Sequence, residues 1–139
     1  MPALTFASEL FNFGEIHNSH FMIKTFKTTL LDRRLREKRR ENEKLRQQTL
    51  QRVLELLPPL ARKYGFRRAY VFGSVVKKGR FRKNSDIDVA IEGLGDQHYF
   101  KFMADLCDRL EREVDIIQIE NHRLRKRILE TGIEWNENA

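Results

Sequence analysis

The most constraining feature of this chain is a pair of aspartates at the start of an apolar run, Ser85-Asp86-Ile87-Asp88-Val89-Ala90-Ile91. Aspartate is depleted in strand interiors because it fits poorly on a pleated, half-buried surface. Side chains alternate along a strand, so Asp86 and Asp88 are expected on one face, about 6–7 Å apart, with Ile87 directed into the core. Two carboxylates on one face repel each other unless a cation lies between them, and hard oxygen ligands favour Mg²⁺. The pattern therefore predicts a metal site.

A Gly-Ser turn precedes these aspartates, in the order Gly73-Ser74, eleven residues, Asp86-Ile87-Asp88. This signature resembles that of the polymerase-beta-like nucleotidyltransferase superfamily. The chain length and the run 85–94 make it most similar to the minimal nucleotidyltransferases, small antitoxin-type proteins often paired with a HEPN-domain toxin. The resemblance covers about residues 45–137. The loop is one residue longer than is usual in that group, and Val75-Val76-Lys77-Lys78-Gly79 replaces the usual small residue and Arg/Lys-Gly; we interpret this as a loop variation that leaves the carboxylates intact.

The resemblance implies an α/β (α+β) nucleotidyltransferase fold, with a small mixed β-sheet flanked by helices. The periodicity agrees with that order of elements. Apolar residues at i, i+3, i+4 and i+7 between Leu50 and Leu57 predict a core-facing helix, which Pro58-Pro59 is expected to break. Strands are predicted at Arg68–Phe72, Asp86–Ile91 and Val114–Ile119, and further helices at Gln97–Glu111 and His122–Glu130.

A third carboxylate, Asp115, stands at the start of the third predicted strand. A charged residue on an apolar strand face is costly unless it is paired or binds a metal. From the residues alone, two interpretations stay open: a metal ligand, or a strand-end residue that reaches solvent or an arginine. The resemblance implies the first, because the third acidic residue of the family follows the intervening helix as Asp115 does here.

The chemistry that the resemblance implies is Mg²⁺-dependent transfer of AMP from ATP to a hydroxyl group. Asp86, Asp88 and Asp115 would be the catalytic, metal-binding residues. The backbone of Gly73 can approach a phosphate because it has no side chain, and Ser74 adds a hydroxyl group. One or more of three basic loop residues would contact the triphosphate: Lys77, Lys78 and Arg80.

The resemblance also implies a partner: the acceptor would be a tyrosine of a HEPN-type toxin, silenced by this chain as its antitoxin. Two other functions remain open. The first is an antitoxin that neutralises its partner by contact alone. The second is a basic RNA-binding protein that uses Arg33–Arg46 and Arg62–Lys83, since clustered Lys and Arg bind phosphates and the net charge is +7. Direct nucleic-acid binding is the less favoured of these.

Composition bounds the compartment and the domain organisation. One cysteine, Cys107, cannot form an internal disulfide, which favours a reducing compartment, and no apolar run approaches the ~20 residues that span a bilayer. We therefore expect a cytoplasmic protein with no membrane partner. We expect residues 41–139 to form the nucleotidyltransferase domain and residues 1–40 an N-terminal extension. No apolar residue lies between Leu35 and Leu45, so this arm is predicted as an exposed helix or a disordered segment.

Overall fold

The structure, a computed structural model, describes the backbone of residues 2–138 and the side chains of residues 28–138. The chain divides into two units, Met1–Arg39 and Arg40–Ala139. The elements are α1 (Pro2–Tyr64), β1 (Arg68–Phe72), β2 (Ile87–Glu92), α2 (Tyr99–Leu110), β3 (Val114–Gln118), α3 (Arg125–Thr131) and β4 (Ile133–Asn136), with short 3₁₀ turns at Gly73–Val76 and Asp96–His98. The predicted combination of a small mixed sheet with helices is confirmed.

The four strands form one sheet in the order β3-β2-β1-β4. β1 is antiparallel to both β2 and β4, whereas β2 and β3 are parallel. The register aligns Phe72 with Asp88, and Asp88 with Asp115, across three adjacent strands. This single row lies at the end of the sheet where β1 finishes and where β2 and β3 begin.

Alternation along the strands divides the core between the two faces of the sheet. One face packs against α1 and α2, where Leu57, Leu60 and Phe102 are fully buried. The other face carries Tyr70 and Ala90, which pack with two residues from the C-terminal segment, Ile119 and Ile128. Each of the large side chains contributes about 1.5–3 kcal/mol through burial. Together they fix the sheet from both sides.

The prediction that Pro58-Pro59 breaks the first helix is wrong, because α1 continues to Tyr64. A proline inside a helix removes one backbone hydrogen bond and crowds the carbonyl four residues earlier, at a cost of about 3 kcal/mol. Leu57 and Leu60, on either side of the pair, are both fully buried. Their burial against the sheet offsets the cost, so tertiary packing overrides the local signal.

Smaller differences concern boundaries and one additional strand. β2 begins at Ile87 and not at Asp86, and α3 begins at Arg125 and not at His122. β4 was not expected from the sequence; it pairs antiparallel with β1. Among the described residues, no helix is long and apolar enough to cross a membrane.

The predicted N-terminal arm is only partly described. From residue 28 to residue 40 the chain is helical and its side chains are exposed. The side chains of residues 1–27 lie outside the described residues, and the assignment of residues 1–40 to an N-terminal extension stays a prediction.

Candidate active site

Two of the three predicted carboxylates are neighbours because of strand register. Asp88 is the second residue of β2, Asp115 is the second residue of β3, and the two are paired across parallel strands. They therefore project from the same face of the sheet. Asp86 immediately precedes β2 and is exposed, as is Asp115, whereas Asp88 between them is half-buried. The next row on that face contains Tyr70, Ala90 and Ile117; the carboxylates thus stand at the edge of an apolar surface.

Electrostatics link all three carboxylates. The pKa of Asp88 is raised above its ordinary value, first because burial disfavours the charged form, then because of the negative charges of Asp115 and Asp86. Both neighbours are therefore close enough to repel an ionised Asp88. A cation placed among these oxygens would remove that repulsion.

Gly73 is required by its contact with Asp88. Its φ of +77° lies in the left-handed region, which side chains disfavour. A Cβ built at Gly73 would overlap Oδ2 of Asp88, so no other residue fits without movement. The bare backbone of the turn therefore allows the Asp88 carboxylate to lie directly against Gly73. Ser74, the second residue predicted for the nucleotide site, lies in the same 3₁₀ turn, where its carbonyl accepts a hydrogen bond of 3.1 Å from the Lys77 N–H.

The basic residues predicted to contact a triphosphate are exposed on the loop between this turn and Asp86. Lys77, Lys78 and Arg80 all face solvent. Phe81, in contrast, is buried, with 1% of its surface exposed, and anchors the middle of the loop in the core. The loop therefore has a fixed centre and a cationic outer surface.

Two arginines to which sequence analysis assigned no role in the nucleotide site bind the ends of this loop. Arg46 of α1 donates to the Val75 carbonyl at 3.0 Å, and a two-bond pair with Glu43 (2.9 and 2.7 Å) orients its guanidinium. Arg112 donates to the carbonyls of Lys83 and Ser85 at 2.8 and 2.7 Å. Both arginines stand in charge-rich stretches typical of a solvated surface, so no sequence signal distinguishes them.

The donor chemistry of the site fits Mg²⁺. Three carboxylates supply hard oxygen ligands, and the charges of Asp115 and Asp86 both act on Asp88. Within residues 28–138, however, no group of three or more His, Cys, Asp or Glu side chains is arranged closely enough to hold a metal ion. That Asp86, Asp88 and Asp115 converge on shared ions therefore stays a prediction.

Comparison with known proteins finds a matching family model and similar solved structures. The family model described as polymerase beta, nucleotidyltransferase matches residues 55–137, a segment that contains Gly73 and all three aspartates. A solved structure described as a minimal nucleotidyltransferase is 30% identical, with a TM-score of 0.53 over 62% of this chain and 92% of its own. No curated protein matches the chain significantly.

Two toxin–antitoxin structures share the fold. One, solved with AMP-PNP, is 23% identical, with a TM-score of 0.52 over 60% of this chain and 73% of its own. The other, a mutant of MntA-HpeT, is 21% identical, with a TM-score of 0.51 over 60% of this chain and 72% of its own.

Proposed function

The chain belongs to the polymerase beta nucleotidyltransferase family and is a nucleotidyltransferase, and we propose that it moves AMP from ATP to a hydroxyl group with the help of Mg²⁺. The observation that supports this proposal is the row that aligns Asp88 with Asp115, with the Asp88 carboxylate directly against the backbone of Gly73. Burial and the two neighbouring carboxylates raise the pKa of Asp88, and a divalent cation bound among these oxygens would relieve their repulsion.

In this proposal each residue has a distinct task. Asp86 and Asp88 would hold the cations, and Asp115 would supply a third carboxylate ligand. Bound Mg²⁺ supplies charge neutralisation at the triphosphate and lowers the pKa of the attacking hydroxyl group. Asp115 is exposed, so it can accept the proton of that hydroxyl as the general base. The turn at Gly73 and Ser74 receives phosphate oxygens.

The basic loop contributes long-range attraction for ATP. We assign the triphosphate contacts to one or more of the exposed residues Lys77, Lys78 and Arg80. A flexible ammonium or guanidinium group can follow the phosphates as the pyrophosphate departs. Their positive charge also raises the rate at which a polyphosphate anion reaches the site.

We propose that the acceptor is supplied by a partner protein. Asp86 and Asp115 are exposed at one end of the sheet, where a side chain of another protein can reach them. Two of the solved structures that share the fold are toxin–antitoxin structures. The proposed acceptor is therefore a tyrosine of a HEPN-type toxin, bound as a hetero-oligomer, which AMP transfer silences in the cytoplasm.

One observation favours a second candidate, an antitoxin that neutralises its partner by contact alone. In the described part of the chain, no closed group of three metal ligands is present. An antitoxin that acts by binding alone would keep the fold but would not need its carboxylates to lie close enough together to hold a metal ion. The two candidates differ in whether the partner changes mass.

The deciding experiment uses the chain produced together with its partner and measures the intact mass of that partner. The wild type should add the mass of one or more AMP groups, and ATP labelled at the α-phosphate should transfer its label. Asp86→Asn with Asp88→Asn keeps the shape of the site but removes two negative charges, so transfer should fall by several orders of magnitude. Asp108→Asn, an exposed position on α2, is the matched control.

The outcomes separate the two candidates. An unmodified partner that is nevertheless neutralised by both the wild type and the double variant would establish neutralisation by binding. Undiminished transfer by the double variant would exclude Asp86 and Asp88 as the catalytic pair.

We propose that residues 41–139 are the catalytic domain and that residues 1–40 serve partner docking. Arg33 to Arg40 is rich in basic residues, which suits an acidic surface on the partner. A chain that begins at residue 41 should keep its melting temperature and its transfer chemistry, but bind the partner more weakly, with a loss that shrinks at high salt. A large fall in melting temperature would show that the arm is structural.

A further inference from the structure

The loop that leads to Asp86 curls around one guanidinium group. The same terminal nitrogen of Arg112 donates to the carbonyls of Lys83 and Ser85 at 2.8 and 2.7 Å. Its guanidinium carbon lies 4.8 Å from the centre of the Phe81 ring, a cation–π arrangement. Within residues 28–138, Arg112 forms no ion pair with a carboxylate. Its guanidinium group instead binds backbone carbonyls of the residues that immediately precede Asp86.

The end of α2 delivers Arg112 to this position. Glu111 adopts the left-handed conformation, with φ of +51°. The N–H groups of Glu111 and Arg112 both donate to the Cys107 carbonyl, which closes the helix. The chain turns at Glu111 and enters β3 two residues after Arg112. The segment that carries Arg112 is thus continuous with the strand that carries Asp115.

Asp86 is consequently held on both sides by one short segment. Arg112 binds the Ser85 carbonyl, which shares a rigid peptide plane with the Asp86 nitrogen. On the other side, the Ile87 N–H donates to the Glu113 carbonyl at 3.0 Å. Two adjacent residues, 112 and 113, therefore fix the backbone that precedes and follows this carboxylate, although Asp86 itself is exposed.

We propose that Arg112 is a positioning residue that sets the direction of Asp86 relative to Asp115 and thereby the affinity of the site for divalent cations. This inference rests on the proposed function for the identity of the site. Groups that orient metal ligands from outside typically affect metal affinity or activity by about 10–100-fold when removed. Arg112 acts on the backbone of the ligand, where the Phe81 ring and two carbonyls fix its guanidinium plane.

The test compares Arg112→Met, Arg112→Lys and Arg109→Met in the full-length chain. Methionine keeps an unbranched apolar stem over Phe81 but donates no hydrogen bond, and lysine restores a charged donor without a planar group. Arg109 is an exposed arginine on α2 that bonds Asp105 at 2.7 Å, so its loss lowers stability without touching the loop. It separates an effect of stability from an effect of positioning.

Three measurements are made on each variant: the Mg²⁺ concentration that gives half-maximal transfer, Mn²⁺ binding in the presence of a non-hydrolysable ATP analogue, and amide hydrogen exchange over residues 82–87. Arg112→Met should raise the half-saturating Mg²⁺ concentration and the Mn²⁺ dissociation constant by about 10-fold or more, and speed exchange in the loop. Arg112→Lys should recover a large part of each effect. Arg109→Met should change the melting temperature alone.

The inference would be overturned if Arg112→Met has the same metal dependence and the same amide exchange in the loop as the wild type and differs only in a lower melting temperature. If Arg112→Met does not fold, Arg112→Lys decides by the same measurements. If the wild type transfers no nucleotide, the proposed function fails, but Mn²⁺ binding and amide exchange still decide the positioning role. A wild type that binds no Mn²⁺ would remove both the site and this role.

Discussion

Two aspartates of this domain lie in opposite electrostatic environments. Asp105, on α2, accepts hydrogen bonds from Lys63 at 2.8 Å, from the Tyr64 hydroxyl at 2.9 Å and from Arg109 at 2.7 Å. The pKa of Asp105 is held well below its usual range, principally by the bond from Lys63 and then by that from Arg109. Asp88 instead has a raised pKa, through burial and two negative neighbours.

The difference distinguishes a carboxylate that stabilises the fold from one that we propose as a cation ligand. The partners of Asp105 come from both α1 and α2, so its charge joins the two helices that cover one face of the sheet. Within residues 28–138, no hydrogen bond or ion pair compensates the charge of Asp88. A group that destabilises its own fold at neutral pH is typical of functional sites, where the missing stabilisation comes from a ligand.

The largest predicted effect concerns the glycine that accommodates Asp88. Gly73→Ala should destabilise the fold by about 2–3 kcal/mol, since it combines a left-handed backbone with an overlap against Asp88 Oδ2. Gly79→Ala is a close control, because Gly79 has a φ of +78° but nothing within 4 Å of the added Cβ. Urea denaturation of the two variants measures the difference, which is the cost of the overlap alone.

A double variant sharpens this prediction. Adding Asp88→Ala to Gly73→Ala removes the group that the new Cβ meets, so part of the lost stability should return. The recovery is a coupling energy between the two positions. If Gly73→Ala costs no more than Gly79→Ala, the close approach of the turn to Asp88 is absent in solution.

An intermediate effect is expected at Asp105. Asp105→Asn keeps the shape of the side chain but removes the charge that its three donors bind. The free energy of unfolding at pH 7 should fall by about 1 kcal/mol. The effect is no larger because Lys63 is half exposed and solvent screens its bond to Asp105. Because the folded-state pKa is depressed, this stabilisation is present above the unfolded-state pKa of about 3.9 and is lost as the pH falls below it.

Wild type should therefore lose more stability than Asp105→Asn between pH 5 and strongly acidic solution, as followed by chemical denaturation across pH. Asp108→Asn, on the same helix and exposed, should follow the wild type. Parallel acid profiles for the wild type and Asp105→Asn would contradict the role assigned to this carboxylate.

The smallest effect has the opposite sign. Asp88→Asn should stabilise the metal-free fold at pH 7, by an amount on the order of 0.5 kcal/mol. The folded-state pKa of Asp88 is raised. Below the unfolded-state pKa the carboxyl is protonated in both states, and the wild type carries no electrostatic cost. As the pH rises through the folded-state pKa, Asp88 ionises and the free energy of unfolding of the wild type falls. The stability advantage of the variant should accordingly grow across that window.

Mg²⁺ should reverse this order of stability. Binding to the folded state raises the melting temperature of the wild type, whereas Asp88→Asn, with a ligand removed, should gain less. Thermal denaturation with a chelator and with excess Mg²⁺ measures both states. Equal stability of the two proteins under both conditions would remove the contrast between Asp88 and Asp105.

Much of the fold was predictable because its signals are local. The apolar spacing around Leu57 predicted the buried face of α1. The alternation around Ile87 predicted β2, with Asp88 on one face of the strand and the buried residues Ile87 and Val89 on the other. Asp115 was the open case, because sequence gives no register. The parallel pairing of β2 with β3, which no local pattern encodes, places it beside Asp88.

What could not be predicted depends on contacts distant in sequence. β4 is only four residues long and gains its hydrogen bonds from β1, more than sixty residues earlier. The helix through Pro58-Pro59 persists because of burial against the sheet. Arg112 reaches carbonyls 27 and 29 residues away. In each case the local sequence favours another state, and the energy that decides comes from tertiary structure.

The row formed by Phe72, Asp88 and Asp115 lies at one end of the sheet, so additions to the chain at the other end need not disturb it. The opposite end of the sheet, where Arg68 aligns with Glu92 and with Asn136, has no part in that row. Because β4 runs antiparallel to β1, the chain leaves β4 at this remote end. A module appended after Asn136 would therefore enlarge the protein without shifting Asp88 and Asp115. New recognition surfaces could be added in this way while the arrangement of the carboxylates stays the same.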